Sequence, residues 1–261
     1  MKRFIALALL IAILSCFVIS CESNELEYIP TGTSTSTDQS SETEIAPGHT
    51  YTDDGNCTTA LYCDECGELL REAKSKHNYS NIVDYSFVND GINEGGIKTV
   101  ACSNTSCTIT TTNTFDKFIK ALGYSVAEFE STNTATLTAS YIFNSQNLTD
   151  YSNYLSKVNG KRVKFEYGIL VYVEGQITGA PLTKSGSEAY GVVKVDLTGA
   201  NGLNDFSVPK ISKNAYDDGI FICSYMIIGN ELYYIQSDNI YSEKEYKSLM
   251  PVTVNMVLGI E

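Results

Sequence analysis

An α+β domain with a largely antiparallel sheet and two helices is predicted for residues 114–261. Three observations predict it. Six runs rich in β-branched and aromatic residues have strand length, two segments carry the apolar period of a helix, and Gly or Asn-Gly punctuation separates them. Ahead of this domain the composition changes three times. A signal segment occupies 1–20, a Ser/Thr-rich acidic tether 21–46, and a Cys/His-rich module 47–113.

In the signal segment Lys2 and Arg3 precede an apolar run from Phe4 to Leu14, and a second apolar group, FVIS, stands before Cys21. A basic start followed by such a run is the pattern of a secretory signal. Val18-Ile19-Ser20-Cys21 resembles the bacterial lipobox, and the resemblance implies cleavage before Cys21 and acylation of its thiol. Ile13-Leu14-Ser15-Cys16 is a poorer match, because Leu14 is bulky where the pattern prefers a smaller or β-branched residue, and an uncleaved signal anchor is the other reading. Each buried CH2 of an acyl chain adds about 0.8 kcal/mol, so several chains would hold the protein at the membrane with its folded part outside the cell. The tether, with few large apolar side chains, cannot bury enough surface to offset its ordering entropy and is expected to be disordered.

The module that follows concentrates the chain's metal-binding chemistry. Cys57, Cys63, Cys66 and His77 lie in one short segment, His49 stands just upstream, and Cys63-x2-Cys66-Gly67 has the form of a tight turn presenting two sulfurs to one ion. Three thiolates and one imidazole make a closed tetrahedral zinc site, structural rather than catalytic. One zinc ion is expected, with His77 or His49 as its fourth ligand. A disulfide arrangement is the alternative for an exported chain, but three cysteines cannot all pair among themselves and would have to recruit Cys102 or Cys107. For Cys102 and Cys107 a local disulfide and a second, incomplete metal site both remain open.

Two units in this module begin alike, His49-Thr50-Tyr51 and His77-Asn78-Tyr79, as a degenerate tandem repeat would. Residues 49–67 resemble the HTY-type, zinc-ribbon-like repeats of large bacterial surface proteins, in which GH(T/D)Y is followed by a Cys and then Cys-x2-Cys-Gly. The second unit departs from that pattern. It has no counterpart of Cys57, and its last pair is Cys102-x4-Cys107.

In the main domain Phe115, Phe118, Ile119 and Leu122 follow helical spacing, with Thr114 as cap and Gly123 as stop, and Leu148, Tyr151, Leu155 and Val158 do so over 146–158. Strands are expected at 135–143, 161–174, 189–197, 219–228, 231–237 and 251–260, with a loop at 199–205 and a hairpin at Gly229-Asn230. Residues 115–261, with LGYS, LTDYSNYLSKVNG, FEYGILV and LYYIQ, resemble an uncharacterised module of the same class of bacterial surface proteins. That resemblance implies a location and an architecture and names no activity.

The formal charge of -13 disfavours nucleic acid as a partner, since phosphate is neutralised by clustered Lys or Arg. Both histidines lie in the Cys-rich module, which removes Ser-His-Asp and Cys-His arrangements from the main domain. Cys223, inside an apolar run, reads as a small core residue. The expectation is a lipid-anchored, non-catalytic surface module that meets a protein or glycan ligand outside the cell. The alternative is a small carbohydrate-active enzyme using a carboxylate pair, such as Glu166 with Glu174 or Asp196. Eighteen Tyr and no Trp leave room for an aromatic binding face, although strand tyrosines are ordinarily half-buried sheet residues.

Overall fold

The computed structural model describes residues 48–260, so the signal segment, Cys21 and the tether lie outside the described residues. Two compact units result. One comprises 48–84 with 98–113, and the other 85–97 with 114–260. The larger unit therefore takes in a segment that the sequence assigns to the Cys-rich module.

Short strands β1 (Leu61–Tyr62) and β2 (Leu69–Arg71) form an antiparallel pair on either side of the Cys63-x2-Cys66 turn. Strands β3 (Tyr79–Phe87), β4 (Gly96–Cys102) and β5 (Thr110–Phe115) form a three-stranded sheet in that order. The small unit has little core. Its buried apolar side chains among the described residues are Cys57, Leu61, Cys63, Val100 and Cys102, so most of them are candidate ligands.

In the larger unit β6 (Ile119–Phe129) and β7 (Thr134–Phe143) pair antiparallel, and α1 (Ser145–Val158) follows directly. Next come β8 (Phe165–Val173), β9 (Val193–Asp196) and β10 (Gly202–Ser212), then β11 (Ile220–Ile228), β12 (Glu231–Gln236) and β13 (Asn239–Ser242), and α2 (Val254–Leu258) ends the fold. Two antiparallel sheets result, ordered β10-β7-β6 and β13-β12-β11-β8-β9. The α+β class with sheet dominance is thus the observed one.

Alternation on β7 places Ala135, Leu137, Ala139, Tyr141 and Phe143 in the core, together with Tyr167, Ile169 and Val171 of β8 and Ile220, Ile222, Met226 and Ile228 of β11. The opposite face of β8, β11 and β12 is buried too. There Leu170, Tyr172, Cys223, Tyr225, Ile227, Leu232 and Tyr234 pack with Leu182 and Leu249 from the connecting segments. Burial on both faces explains why these strands read as nearly continuous apolar runs. Gly168 has a separate reason to be glycine, because a Cβ there would fall on the Val195 carbonyl of β9.

Three expectations are corrected. The segment 115–122 is not helical: Phe115 ends β5, and Ile119 opens β6 opposite Phe143. Buried Asn93 decides this, donating from Nδ2 to the Ile119 carbonyl at 2.6 Å and accepting from its N–H at 2.8 Å, so Ile119 has no use for helical partners. Leu122, needed on the core face of a helix, is half exposed, and Gly123 sits at a β-bulge with φ +117° instead of ending a helix. The loop expected at 199–205 gives way at Gly202 to β10, an edge strand on which Pro209 is tolerated beside a break in register. The last predicted strand, 251–260, keeps only a single bridge, Val252 to Ile220. Thr253 accepts from the Met256 N–H and Gly259 adopts φ +71°, so the two ends of α2 are capped and the segment turns helical. The second helix of the fold is therefore α2.

Asn93→Ala removes both partners of a buried peptide group and should cost about 2 to 4 kcal/mol. Leu122→Ala should change stability by less than about 0.5 kcal/mol, as a half-exposed strand position does. Chemical unfolding followed by tyrosine fluorescence compares the two variants.

Candidate metal centre

The seven Cys and His residues of the small unit converge on two places, and the division follows the two repeat units except at Cys57. Cys57, His77, Cys102 and Cys107 form one group, and His49, Cys63 and Cys66 the other, with all candidate ligand atoms of each group within 4.8 Å of one another.

The four-donor group is assembled from distant segments. Cys57 sits inside a turn in which the Asn56 side chain accepts from the Thr58 N–H at 3.0 Å. His77 stands two residues before the start of β3, Cys102 ends β4, and Cys107 lies in the β4–β5 connection, which is closed by Cys102 N–H to Ile109 O at 3.0 Å and Cys107 N–H to Asn104 O at 3.1 Å. His77 Nδ1 lies 3.3 Å from Cys57 Sγ and 3.4 Å from Cys107 Sγ, and the sulfurs of Cys57 and Cys102 are 3.7 Å apart. A tetrahedral zinc ion with ordinary bond lengths has edges of about 3.8 Å between two sulfurs and about 3.5 Å between sulfur and nitrogen. The observed separations are of that size, and the cysteine sulfurs among the described residues are all free of disulfides.

The surroundings favour negative sulfur at one of these ligands and burial at another. Asn104 Nδ2 donates to Cys57 Sγ at 3.1 Å and to the Lys76 carbonyl at 3.3 Å, tying the β4–β5 connection to the segment before His77. Burial pushes the Cys57 thiol up. Burial also acts against ionisation at Cys107, but hydrogen bonds from the Cys57 and Ile109 backbone outweigh it and bring that thiol to about 6.

The three-donor group is local. β1 leads into the turn at Cys63, where Gly67 N–H donates to Cys63 O at 3.0 Å with Gly67 at φ +74°, and β2 leads away. The Cys66 N–H faces Cys63 Sγ at 3.5 Å, and with His49 beside it this brings the Cys63 thiol to about 6. His49 Nδ1 lies 3.6 Å from Cys66 Sγ, while its Nε2 faces Glu68 Oε2 at 3.6 Å.

The single site expected from Cys57, Cys63, Cys66 and His77 is therefore divided. Cys57 and His77 join Cys102 and Cys107, while Cys63 and Cys66 take His49. The x4 spacing of Cys102 and Cys107 was a weak signal, since only the hairpin connection brings them together. Lipidation at Cys21 falls outside the described residues.

Other reactive and acidic groups are occupied structurally. Cys223 is buried in β11, and burial raises its thiol to about 12. Asp53 is held by Arg71 at 2.7 Å, and Asp217 accepts from Asn255. The tyrosines Tyr141, Tyr167, Tyr225 and Tyr234 are core residues, whereas Tyr190 is almost fully exposed. Glu166 Oε1 accepts from Lys194 Nζ at 2.7 Å and Tyr225 OH at 3.0 Å, and Oε2 lies 3.3 Å from Lys164 Nζ. No protein family, curated protein or solved structure matches this chain.

Burial raises the Glu166 pKa, but Lys194, Tyr225 and Lys164 together hold it below the usual carboxylate value. A depressed folded-state pKa gives stability that is present above the unfolded value near 4.3 and is lost as pH falls through the folded one. Glu166→Gln should cost about 1 to 2 kcal/mol at pH 7. Denaturant titrations across pH should show the gap to the unmutated protein closing below about pH 4.

Proposed function

We propose that this chain is a membrane-anchored extracytoplasmic lipoprotein, acylated at Cys21, whose Cys/His module is a spacer pinned by a structural zinc ion and whose larger unit is a non-catalytic surface binding or structural domain. The observation that carries the zinc assignment is the four-donor set of Cys57, His77, Cys102 and Cys107, three sulfurs and an imidazole all within 4.8 Å of one another, with three of the separations the length of a tetrahedron's edge. A closed set leaves no position for a water nucleophile, so the ion's contribution is to folding. In zinc-finger peptides that contribution is on the order of 10 to 16 kcal/mol, which suits a unit with so few buried apolar side chains.

For the larger unit a binding or structural role is favoured over the carboxylate enzyme by the state of Glu166. A glycosidase acid needs a raised pKa and a second carboxyl across the scissile bond. Glu166, with its pKa lowered, does not suit the acid role, and with both oxygens turned to lysine ammonium groups it is not free to act as nucleophile or base.

Zinc should leave the full chain on prolonged chelation with loss of the native amide dispersion of 48–84 and 98–113, while the signals of the larger unit persist. Dispersion retained without metal would sink the zinc assignment. Separately, Cys21→Ser should abolish incorporation of labelled palmitate and release the protein from the membrane fraction.

A further inference from the structure

The two donor groups are unequal in a way that follows from the repeat. Each takes the histidine that opens its own unit, His49 or His77, and the pair of cysteines that closes it, Cys63 with Cys66 or Cys102 with Cys107. The group in the second unit is completed by Cys57, which belongs to the first. No cysteine between Glu22 and Asn56 offers the same service to His49, Cys63 and Cys66. No carboxylate oxygen joins that trio among the described residues either.

Other features make the trio a built site. Cys63 is buried and Cys66 exposed, so one side of the group opens to solvent. His49 turns Nδ1 to Cys66, and its Nε2 faces the Glu68 carboxylate at 3.6 Å, just outside hydrogen-bond distance but on the side where a carboxylate can orient a metal-bound imidazole.

We infer that His49, Cys63 and Cys66 hold a second zinc ion whose fourth coordination position is open to solvent and takes up a thiolate from outside the chain. Two sulfurs and one nitrogen with a vacant position make the donor set of a reactive rather than a purely structural zinc ion. A thiolate is the donor class that fills the equivalent place in the other group, where it is Cys57. Binding exchanges ligands without redox change: the thiol gives its proton to solvent, its sulfur bonds to zinc, and the bound water leaves. The inference is independent of the zinc proposed at Cys57, His77, Cys102 and Cys107, since the two groups share no ligand.

The test uses the full chain in detergent, purified without chelator, and counts zinc by elemental analysis. Two ions per chain are expected, falling to one in Cys63→Ser/Cys66→Ser. A zinc content unchanged by that double substitution, or an intact mass showing Cys63 and Cys66 oxidised to a disulfide, overturns the second site. Loss of the other ion alone, in Cys102→Ser/Cys107→Ser, identifies the four-donor group, so the two assignments fail separately. Cobalt(II) exchanged into the unmutated chain then probes the open position. Adding 2-mercaptoethanol should shift the visible d–d bands, and it should leave those of Cys63→Ser/Cys66→Ser unmoved. Bands of the unmutated cobalt protein that do not respond to the thiol overturn the open position.

Discussion

Three sulfurs and an imidazole drawn to within 4.8 Å of one another are the constraint on which the small unit depends. Without a cation the sulfurs of such a cluster cannot all be ionised, because ionising one thiol raises the cost of ionising the next. With one, the same crowding becomes the source of order. The strands beside it are short, and β1 and β2 contribute only Leu61 to the buried set. Besides the donors, polar links tie the segments together, among them Arg71 to Asp53, Asn104 to Cys57 and the Lys76 carbonyl, and Thr108 N–H to the Gly55 carbonyl at 2.8 Å.

The larger unit is stabilised by a different route. Its five-stranded sheet buries both faces, and α1 brings Leu148 and Tyr151 against the aromatic side chains of Tyr85, Phe87, Phe115 and Phe118. Ring centroids there lie 5.0 to 6.2 Å apart, mostly edge-on or stacked. Several tyrosine hydroxyls inside the core find backbone acceptors, as Tyr141 does at Ile222 and Tyr234 at Leu182, while the Tyr85 hydroxyl, buried between the rings, has no partner among the described residues. This is how so many tyrosines are accommodated without an aromatic surface of matching size.

The central strands and α1 were legible because burial and period coincide in them, as at 135–143 and 146–158. The hairpin at Gly229-Asn230 was legible from its turn chemistry. The segment 115–122 was misleading because Phe118 and Ile119 are both buried for a reason that helical spacing does not contain, the clamp of Asn93 from 26 residues away on Ile119. At 254–258 the capping residues Thr253 and Gly259 outweighed an apolar composition that suits a strand equally well. The donor residues were legible as a set, since Cys and His are scarce elsewhere in the chain. Their partition follows the two repeat units except at Cys57, whose place was not legible because it depends on the β4–β5 connection carrying Cys102 and Cys107 back to it.

That partition gives the two donor groups different folding histories. Cys66 and His49 are 17 positions apart, whereas Cys57 and Cys102 are separated by 45, with residues 85–97 of the other unit between them. Loop-closure entropy makes the longer closure costlier by about 0.9 kcal/mol. The larger difference is one of timing. In a chain that emerges from its N-terminus the trio is complete once Cys66 is out, while Cys57 waits for Cys107. Cys57 is thus the residue left without its own partners for the longest stretch of synthesis, next to a finished trio that lacks one sulfur.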